Sequence, residues 1–447
     1  MKLRMPTVSD VRARLLKSAG WLLARQVVNM FNSLVLGVVL ARHLGPDGFG
    51  VLNYAVSLVV MMLPITTLGL RNLSLREYAS RPDDAPRILG TIAAMRFMGT
   101  LVAIGAMLFI AIRFPAEHDN IALLCLFLGI ALLFQVFDTI KEQFIASQKP
   151  RIFVMVEVCV LACFSLLKVG LVLADMPVDA FIIANGFETI GQGCASGLAY
   201  YLKAGTPPRM QVDRVLMRRY ARNALPLLLG SISTVIYLKI DIVFLSNMVG
   251  KEATGLYAVA ARMSEAWYIL PSTLAMAAFP RMVELRGEDP VHYRRRMQEA
   301  MDLFAAFGTC VAATSIFWAA PVIWLLFGDA YAGAVSLLQI QVWVGVVFAT
   351  RQLIDKQLLA DGLFWGSAII NLTGAVANVA CNLVLIPIYG AEGAAYATLI
   401  SYTLAPLLLA PVVPAIRPVA KMQLRAIFWP RRAVQFASRQ YLAWSRS

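Results

Sequence analysis

Five basic residues stand inside otherwise apolar stretches of this 447-residue chain: Arg25, Arg96, Lys168, Lys239 and Arg262. Charges at that depth are costly and default to functional candidates. If the five share one cavity, it would suit an anionic ligand such as a pyrophosphate or an acidic sugar, because guanidinium and ammonium groups bind such oxygens through charge-assisted hydrogen bonds. Arg25, Asn29 and Asn32 fall at i, i+4 and i+7, one stripe of a helix that should face a bundle interior. Three acids in the same stretches, Glu188, Asp241 and Glu265, are candidate proton or Na⁺ coupling groups, and Glu157 is a further acidic insertion. Each has a bland competitor. Arg25 and Arg96 can snorkel to headgroups, and Arg262 and Glu265, at i and i+3, can pair within one helix. Asp138, Lys141, Glu142, Arg351, Asp355 and Lys356 lie near helix ends and read as interfacial.

The elements that must position these residues are membrane spans. Runs of about 20 apolar residues cross the ~30 Å hydrocarbon core as helices. Twelve such runs are predicted, near 20–40, 51–70, 88–112, 121–144, 152–173, 181–202, 224–244, 254–276, 300–326, 334–359, 364–388 and 394–413. Pro321 interrupts the ninth. Of the 40 Lys and Arg, 32 lie at the N-terminus, in every second loop and in the tail, against three (Arg42, Arg113, Lys251) in the opposite loops. Basic residues stay cytoplasmic, so both termini are expected inside. The first span is too long for a signal-peptide core and lacks a small-residue cleavage site, so it reads as a retained anchor.

Composition agrees, with 59% hydrophobic residues and a mean hydropathy of +0.70. The net charge of +14 sits mostly where it sets topology and meets anionic headgroups of membrane lipids, which argues against nucleic acid as a partner. Six cysteines fall within spans and form no disulfide framework. Three isolated histidines support no metal site, and nothing points to a cofactor. No phosphate-binding G-x-x-x-x-G-K-[ST], H-E-x-x-H or G-x-S-x-G motif occurs. The outer loops are short and carry only scattered acids, so no catalytic residue is assigned and an enzyme is not expected.

The basic stretch 203–222 divides the chain into an N-terminal segment (1–17), a six-helix bundle (18–202), the linker itself, a second six-helix bundle (223–415) and a basic cytoplasmic tail (416–447). The halves are similar in order. Gly45-Pro-Asp-Gly-Phe-Gly50 precedes a helix with Tyr54-Ala, and Gly250-Lys-Glu-Ala-Thr-Gly255 precedes one with Tyr257-Ala. Gln143-Phe-Ile-Ala146 answers Gln357-Leu-Leu-Ala360. Six spans per half predict a parallel internal repeat, an architecture that lets a site open to either side in turn.

Leu40-Ala-Arg-His-Leu-Gly-Pro-Asp-Gly-Phe-Gly-Val-Leu-Asn-Tyr-Ala55 resembles the signature after the first helix of polysaccharide-transport, or O-antigen (Wzx-type), flippases. Leu325-Leu-Phe-Gly-Asp-Ala-Tyr-Ala-Gly-Ala334 and Ile386-Pro-Ile-Tyr-Gly-Ala-Glu-Gly-Ala-Ala-Tyr-Ala-Thr398 resemble later turns of that family. The resemblance implies an all-α integral membrane protein of the multidrug/oligosaccharidyl-lipid/polysaccharide exporter superfamily. It implies a flippase that moves undecaprenyl-pyrophosphate-linked oligosaccharide across the bacterial cytoplasmic (inner) membrane, for O-antigen, capsule or exopolysaccharide synthesis. The implied partners are the lipid-linked oligosaccharide substrate, membrane lipids, and candidate glycan polymerase and chain-length proteins. The signature's Gly45, Gly48 and Gly50 are read as permitting a tight reversal. A cation-coupled multidrug exporter of the same superfamily and an outer-face glycan polymerase or ligase are the alternatives.

Overall fold

The structure, a computed structural model, describes residues 8–147, 150–205 and 210–428. The remainder of the predicted basic tail, with Trp429, Tyr441 and Trp444, lies outside the described residues. Among these residues there is no strand. Packing divides the described residues into two units, one from Met1–Leu44 and Tyr54–Ile232, the other from Gly45–Asn53 and Ser233–Ser447.

The first unit is built from α1 (Val8–Thr67, apart from Gly45–Asn53), α2 (Arg71–Ser80), α3 (Ala85–Arg113), α4 (Ile121–Leu132), α5 (Asp138–Ala146), α6 (Arg151–Leu173), α7 (Val178–Ala204) and the start of α8 (Arg214–Met248). A 3₁₀ turn, Leu133–Phe137, separates α4 from α5, so the predicted span 121–144 is a broken helix. Two cores fix this unit. Leu70, Tyr78, Ile88, Ile92, Met95, Tyr220 and Ala224 form one; Leu89, Ile140, Phe144, Phe153, Val154 and Ala199 form the other. The stretch after α7 packs here too. Gln211 donates its N–H to Pro86 O, and Arg219 pairs with Glu77 at 2.5 Å.

The second unit continues with the rest of α8, then α9 (Lys251–Ala266), α10 (Ile269–Glu288), α11 (Pro290–Phe327), α12 (Ala334–Ala360), α13 (Phe364–Tyr389), α14 (Ala391–Leu409) and α15 (Arg417–Phe428). α13 packs on α14, and α12 on α11, α9 and α14. α11 runs through Pro321, nearly two turns before its end, where the loss of a single N–H donor is tolerated.

Eight helical stretches among the described residues are long and apolar enough to cross a membrane, and the chain is a multi-pass membrane protein. One of them, Gly20–Thr67, contains two predicted spans. The predicted spans 181–202, 254–276 and 394–413 fall outside the eight. Trp267 and Tyr268 divide 254–276 between α9 and α10, leaving α9 only 16 residues long, and the helix over 394–413 ends at Leu409. The span 181–202 is rich in Gly, Ala, hydroxyl and amide side chains, which dilutes its hydropathy.

The signature turn differs from expectation. α1 is broken at one residue only, Gly45, with φ 65° and ψ 178°, and the chain is helical again from Pro46. Gly250 makes the same kind of break before α9, with φ 121° and ψ 177°. Both φ values lie where a Cβ is strained. Gly50 and Gly255 do not turn the chain; they pack. A Cβ on Gly50 would overlap Lys251 O, and a Cβ on Gly255 would overlap Pro46 O. The contact is reciprocal, since Gly45, Pro46 and Gly50 correspond to Gly250, Lys251 and Gly255 at a constant offset. Such reciprocity is the mark expected of a duplicated segment meeting its copy.

Candidate functional site

In the first unit the polar stripe of α1 meets α6. Arg25 Nη1 donates to Glu157 Oε2 at 2.7 Å, and Ser165 Oγ donates to Asn32 Oδ1 at 2.8 Å. Seven residues along α1 match eight along α6, so the two helices are joined twice, two turns apart. The other Glu157 oxygen accepts from Lys141 Nζ of α5 at 2.9 Å, and Lys141 also reaches Asp138 at 3.0 Å. One carboxylate therefore holds two cations from different helices. Arg25 and Glu157 keep 21% and 12% of their side chains exposed, enough for a ligand to reach them.

Arg96 is placed differently. It is 1% exposed, and its Nη2 donates to Glu142 Oε1 at 2.6 Å, while Ser74 Oγ donates to the other Glu142 oxygen. On the same two helices, Ile92 and Met95 of α3 and Ile140 and Phe144 of α5 belong to the two cores. Lys168, 4% exposed, donates to Glu188 Oε2 at 2.5 Å and to Asn185 Oδ1 at 2.7 Å on α7.

In the second unit Lys239 lies 3.7 Å from Glu265, so Glu265 meets a cation from another helix as well as standing one turn from Arg262. The Arg262 guanidinium sits over the Phe49 ring at 5.5 Å. Asp241 has another kind of environment. Its Oδ1 accepts from Asn382 Nδ2 at 2.5 Å, and its Oδ2 accepts from Tyr257 OH at 2.7 Å and Thr398 Oγ1 at 2.6 Å. Asn382 also donates to Asn378 Oδ1 at 3.1 Å. Four helices, α8, α9, α13 and α14, thus converge on one carboxylate that is 3% exposed. No ion pair reaches it among the described residues. A site of this kind, oxygen-rich and compact, can hold a proton or a small hard cation.

Nearby residues of the same unit line a cavity of about 110 Å³ that includes Thr234, Tyr237, Arg351, Asp355, Asn371 and Tyr402. Arg351 pairs with Asp355 at 3.1 Å and donates to Asn371 Oδ1 at 3.1 Å. Tyr237 stacks on Tyr402 with ring centroids 4.1 Å apart.

Four of the five predicted cations are therefore joined to acids, and all three candidate coupling acids are buried or bridged. Glu142 and Arg351, expected at the interface, are 5% and 8% exposed. Charged residues depress hydropathy and so mark the end of a predicted span, whereas packing has folded these inward. Lys141 moves with them, onto Glu157. Asn185, Asn378, Asn382 and Thr398 were outside the predicted set. Among the described residues no cluster of three or more His, Cys, Asp or Glu is arranged to hold a metal ion.

Residues 15–286 match the model of a family described as "Polysaccharide biosynthesis protein". The chain is 22% identical over 407 residues to a protein named "Probable flippase AglR" from Haloferax volcanii, covering 90% of this chain and 84% of that one. Among solved structures it is similar to the lipid II flippase MurJ in an inward closed conformation, with a TM-score of 0.66, 13% identity, and 92% and 91% of the two chains covered. It is also similar to a multidrug resistance MATE family transporter of the MOP superfamily in an inward-facing conformation, with a TM-score of 0.59, 12% identity, and 87% and 95% covered. These likenesses establish the fold of that superfamily.

Proposed function

The chain belongs to the polysaccharide biosynthesis protein family, and from that premise we propose that it is a flippase for a lipid-linked oligosaccharide, working by alternating access in a bacterial cytoplasmic membrane. The observation that carries this reading is the Arg25–Glu157–Lys141 cluster. Two cations from separate helices share one carboxylate at partly exposed positions. An anionic headgroup such as a diphosphate can take the place of Glu157, so the cations are neutralised by protein when the site is empty and by substrate when it is full. The two cations stay neutralised in either state, and the displaced Glu157 takes up a proton or turns to solvent when substrate is bound.

The reading keeps Arg25, Lys141 and Lys168 as headgroup candidates in the first unit, and Lys239 and Arg262 as separate candidates in the second. Arg96 is assigned to holding α3 against α5, because its guanidinium is sealed in with Glu142. Asp241 is assigned to ion coupling, since Glu188 and Glu265 already balance lysines. Twelve spans with both termini inside, and two six-helix bundles, belong to the same proposal. So do glycan polymerase and chain-length proteins as partners, with O-antigen, capsule or exopolysaccharide as the destination.

The experiment is to remove the protein from its host and ask which leaflet holds the lipid-linked glycan. Accumulation in the inner leaflet, relieved by the wild-type chain and not by an Arg25→Ala/Lys141→Ala variant, is expected. Intermediate reaching the outer leaflet unpolymerised would overturn the reading in favour of an outer-face enzyme.

A further inference from the structure

A separate cavity of about 430 Å³ lies in the second unit, where the end of α10 and the start of α11 meet α12 and α15. Arg286, Tyr293, Arg294, Gln357 and Asp361 supply its polar lining, and Met422 of α15 is part of its apolar wall. Nothing in the transport reading uses it.

Its polar atoms are incompletely satisfied. Tyr293 and Gln357 are both nine-tenths or more buried, yet the Tyr293 hydroxyl and Gln357 Oε1 have no hydrogen-bond partner. The Gln357 amide nitrogen reaches only Met422 Sδ, at 3.9 Å. Buried polar groups of this kind are ordinarily satisfied by a protein group, a water or a ligand. Charge points the same way. Arg286 is bound to Asp361 at 2.7 Å, whereas Arg294 forms no ion pair among the described residues, which leaves the cavity with one uncompensated positive charge.

The donor set defines the ligand. Arg294, Arg286 and the Tyr293 hydroxyl can donate to phosphate oxygens. The Gln357 amide can also present its oxygen as an acceptor, which suits a ligand that brings a hydroxyl or N–H. We propose that this cavity binds a phosphate ester carrying a free hydroxyl, the chemistry shared by the headgroup of phosphatidylglycerol and by soluble glycerol or sugar phosphates. The approach is suitably basic. α15 presents Arg417, Lys421 and Arg425 outward while Val419, Ala420 and Gln423 are buried, the pattern of a helix lying on an anionic surface.

This inference does not depend on the flippase reading. The test uses the full-length protein purified in detergent, with retained lipid read by native mass spectrometry after exposure to phosphatidylglycerol or phosphatidylcholine. A parallel thermal-shift series uses glycerol 3-phosphate. The wild type is expected to retain phosphatidylglycerol about tenfold better than phosphatidylcholine, the effect of one or two charge-assisted contacts. Arg294→Gln and Tyr293→Phe should each remove most of that preference. Arg294 is exposed and Phe preserves shape, so both variants should melt like the wild type without ligand. Protection by glycerol 3-phosphate that also displaces the lipid would support the proposal with a soluble source. Absence of preference for either phosphate, or a preference that both variants keep, would overturn it.

Discussion

The two units differ in how they treat buried charge: the second also pairs Lys239 with Glu265 and Arg351 with Asp355, but among the described residues it alone buries an acid among neutral groups. In the first, every candidate cation is answered by an acid: Arg25 and Lys141 by Glu157, Arg96 by Glu142, Lys168 by Glu188. In the second, Asp241 is surrounded by Asn382, Tyr257 and Thr398, groups that bear no charge. Paired clusters are close to neutral and can trade one anion for another. A buried carboxylate held only by neutral donors keeps a net charge that a proton or a cation can neutralise. The first arrangement suits exchange with an anionic ligand, and the second suits coupling to an ion. Within the first unit there is a further division, because the Glu157 cluster retains some exposure and the Glu142 cluster does not.

The strongest way to break this comparison is at the sealed pair. Glu142→Gln leaves Arg96 charged and buried, with two of its guanidinium nitrogens already lacking partners. Breaking a buried pair from one side costs roughly 3–5 kcal/mol, so a large drop in melting temperature is expected for the protein in detergent. Replacing both residues, Arg96→Leu with Glu142→Leu, should recover most of the loss. If the single variant melts with the wild type, the pair does not hold α3 to α5.

Next come the two acids that the comparison sets apart. Asp241→Asn retains a side chain of the same shape and removes only the charge. Flipping is expected to fall about 100-fold, equivalent to roughly 2.7 kcal/mol, with melting temperature held or raised. Glu157→Gln should act in the other sense. It releases Arg25 and Lys141 from their shared carboxylate, so an anionic lipid-linked substrate should bind more tightly, about tenfold, and leave more slowly. Binding to the purified variants and transport in proteoliposomes separate the two. Equal effects of both substitutions on binding and on turnover would erase the distinction drawn between the units.

Much of this was legible in the residues themselves. Long apolar runs can hardly be anything but membrane helices, and five intramembrane cations announce themselves by cost. The Arg25, Asn29, Asn32 stripe was legible too, and α6 is what it meets. The partners were less so. Hydropathy cannot tell a charge at the lipid boundary from one folded inward, which is why Lys141, Glu142 and Arg351 read as interfacial. Yet a buried Arg96 requires a carboxylate, and Glu142 and Asp138 were few enough to consider. Asn371, Asn378 and Asn382 stand at i, i+7 and i+11 on a mostly apolar helix, a polar signal as strong as the one on α1. What no spacing rule could convey is that α8, α9, α13 and α14 meet at a single carboxylate.

A smaller effect is expected at the paired glycines, which sharpen the comparison by being alike in both halves. Adding a Cβ to Gly50 or to Gly255 drives it into a backbone carbonyl that cannot rotate away. Overpacking of this kind costs roughly 1–3 kcal/mol. Because the contact is reciprocal, Gly50→Ala and Gly255→Ala should lower the melting temperature by similar amounts, and the double variant by less than their sum, since both strain one crossing. Unequal losses, or full additivity, would mean that the two turns are not equivalent.

The smallest effect concerns an acid with neither a cation nor a buried cage. Asp289 caps α11 outside the spans, accepting from the backbone N–H groups of Val291 and His292 at 3.0 Å. These bonds favour the carboxylate, and the His292 N–H chiefly holds its pKa below the ordinary 3.8. A depressed folded-state value means that the stabilising contribution is complete above 3.8 and fades as the pH falls below it, through the folded-state value. Asp289→Asn should flatten that part of the stability profile, because the amide still caps the helix but no longer titrates. Asp289→Ala should lower stability slightly above pH 3.8 and merge with the wild type below it. Melting curves between neutral pH and pH 3 would reveal the difference. If all three proteins decline in parallel as the pH falls, the cap contributes nothing that titrates.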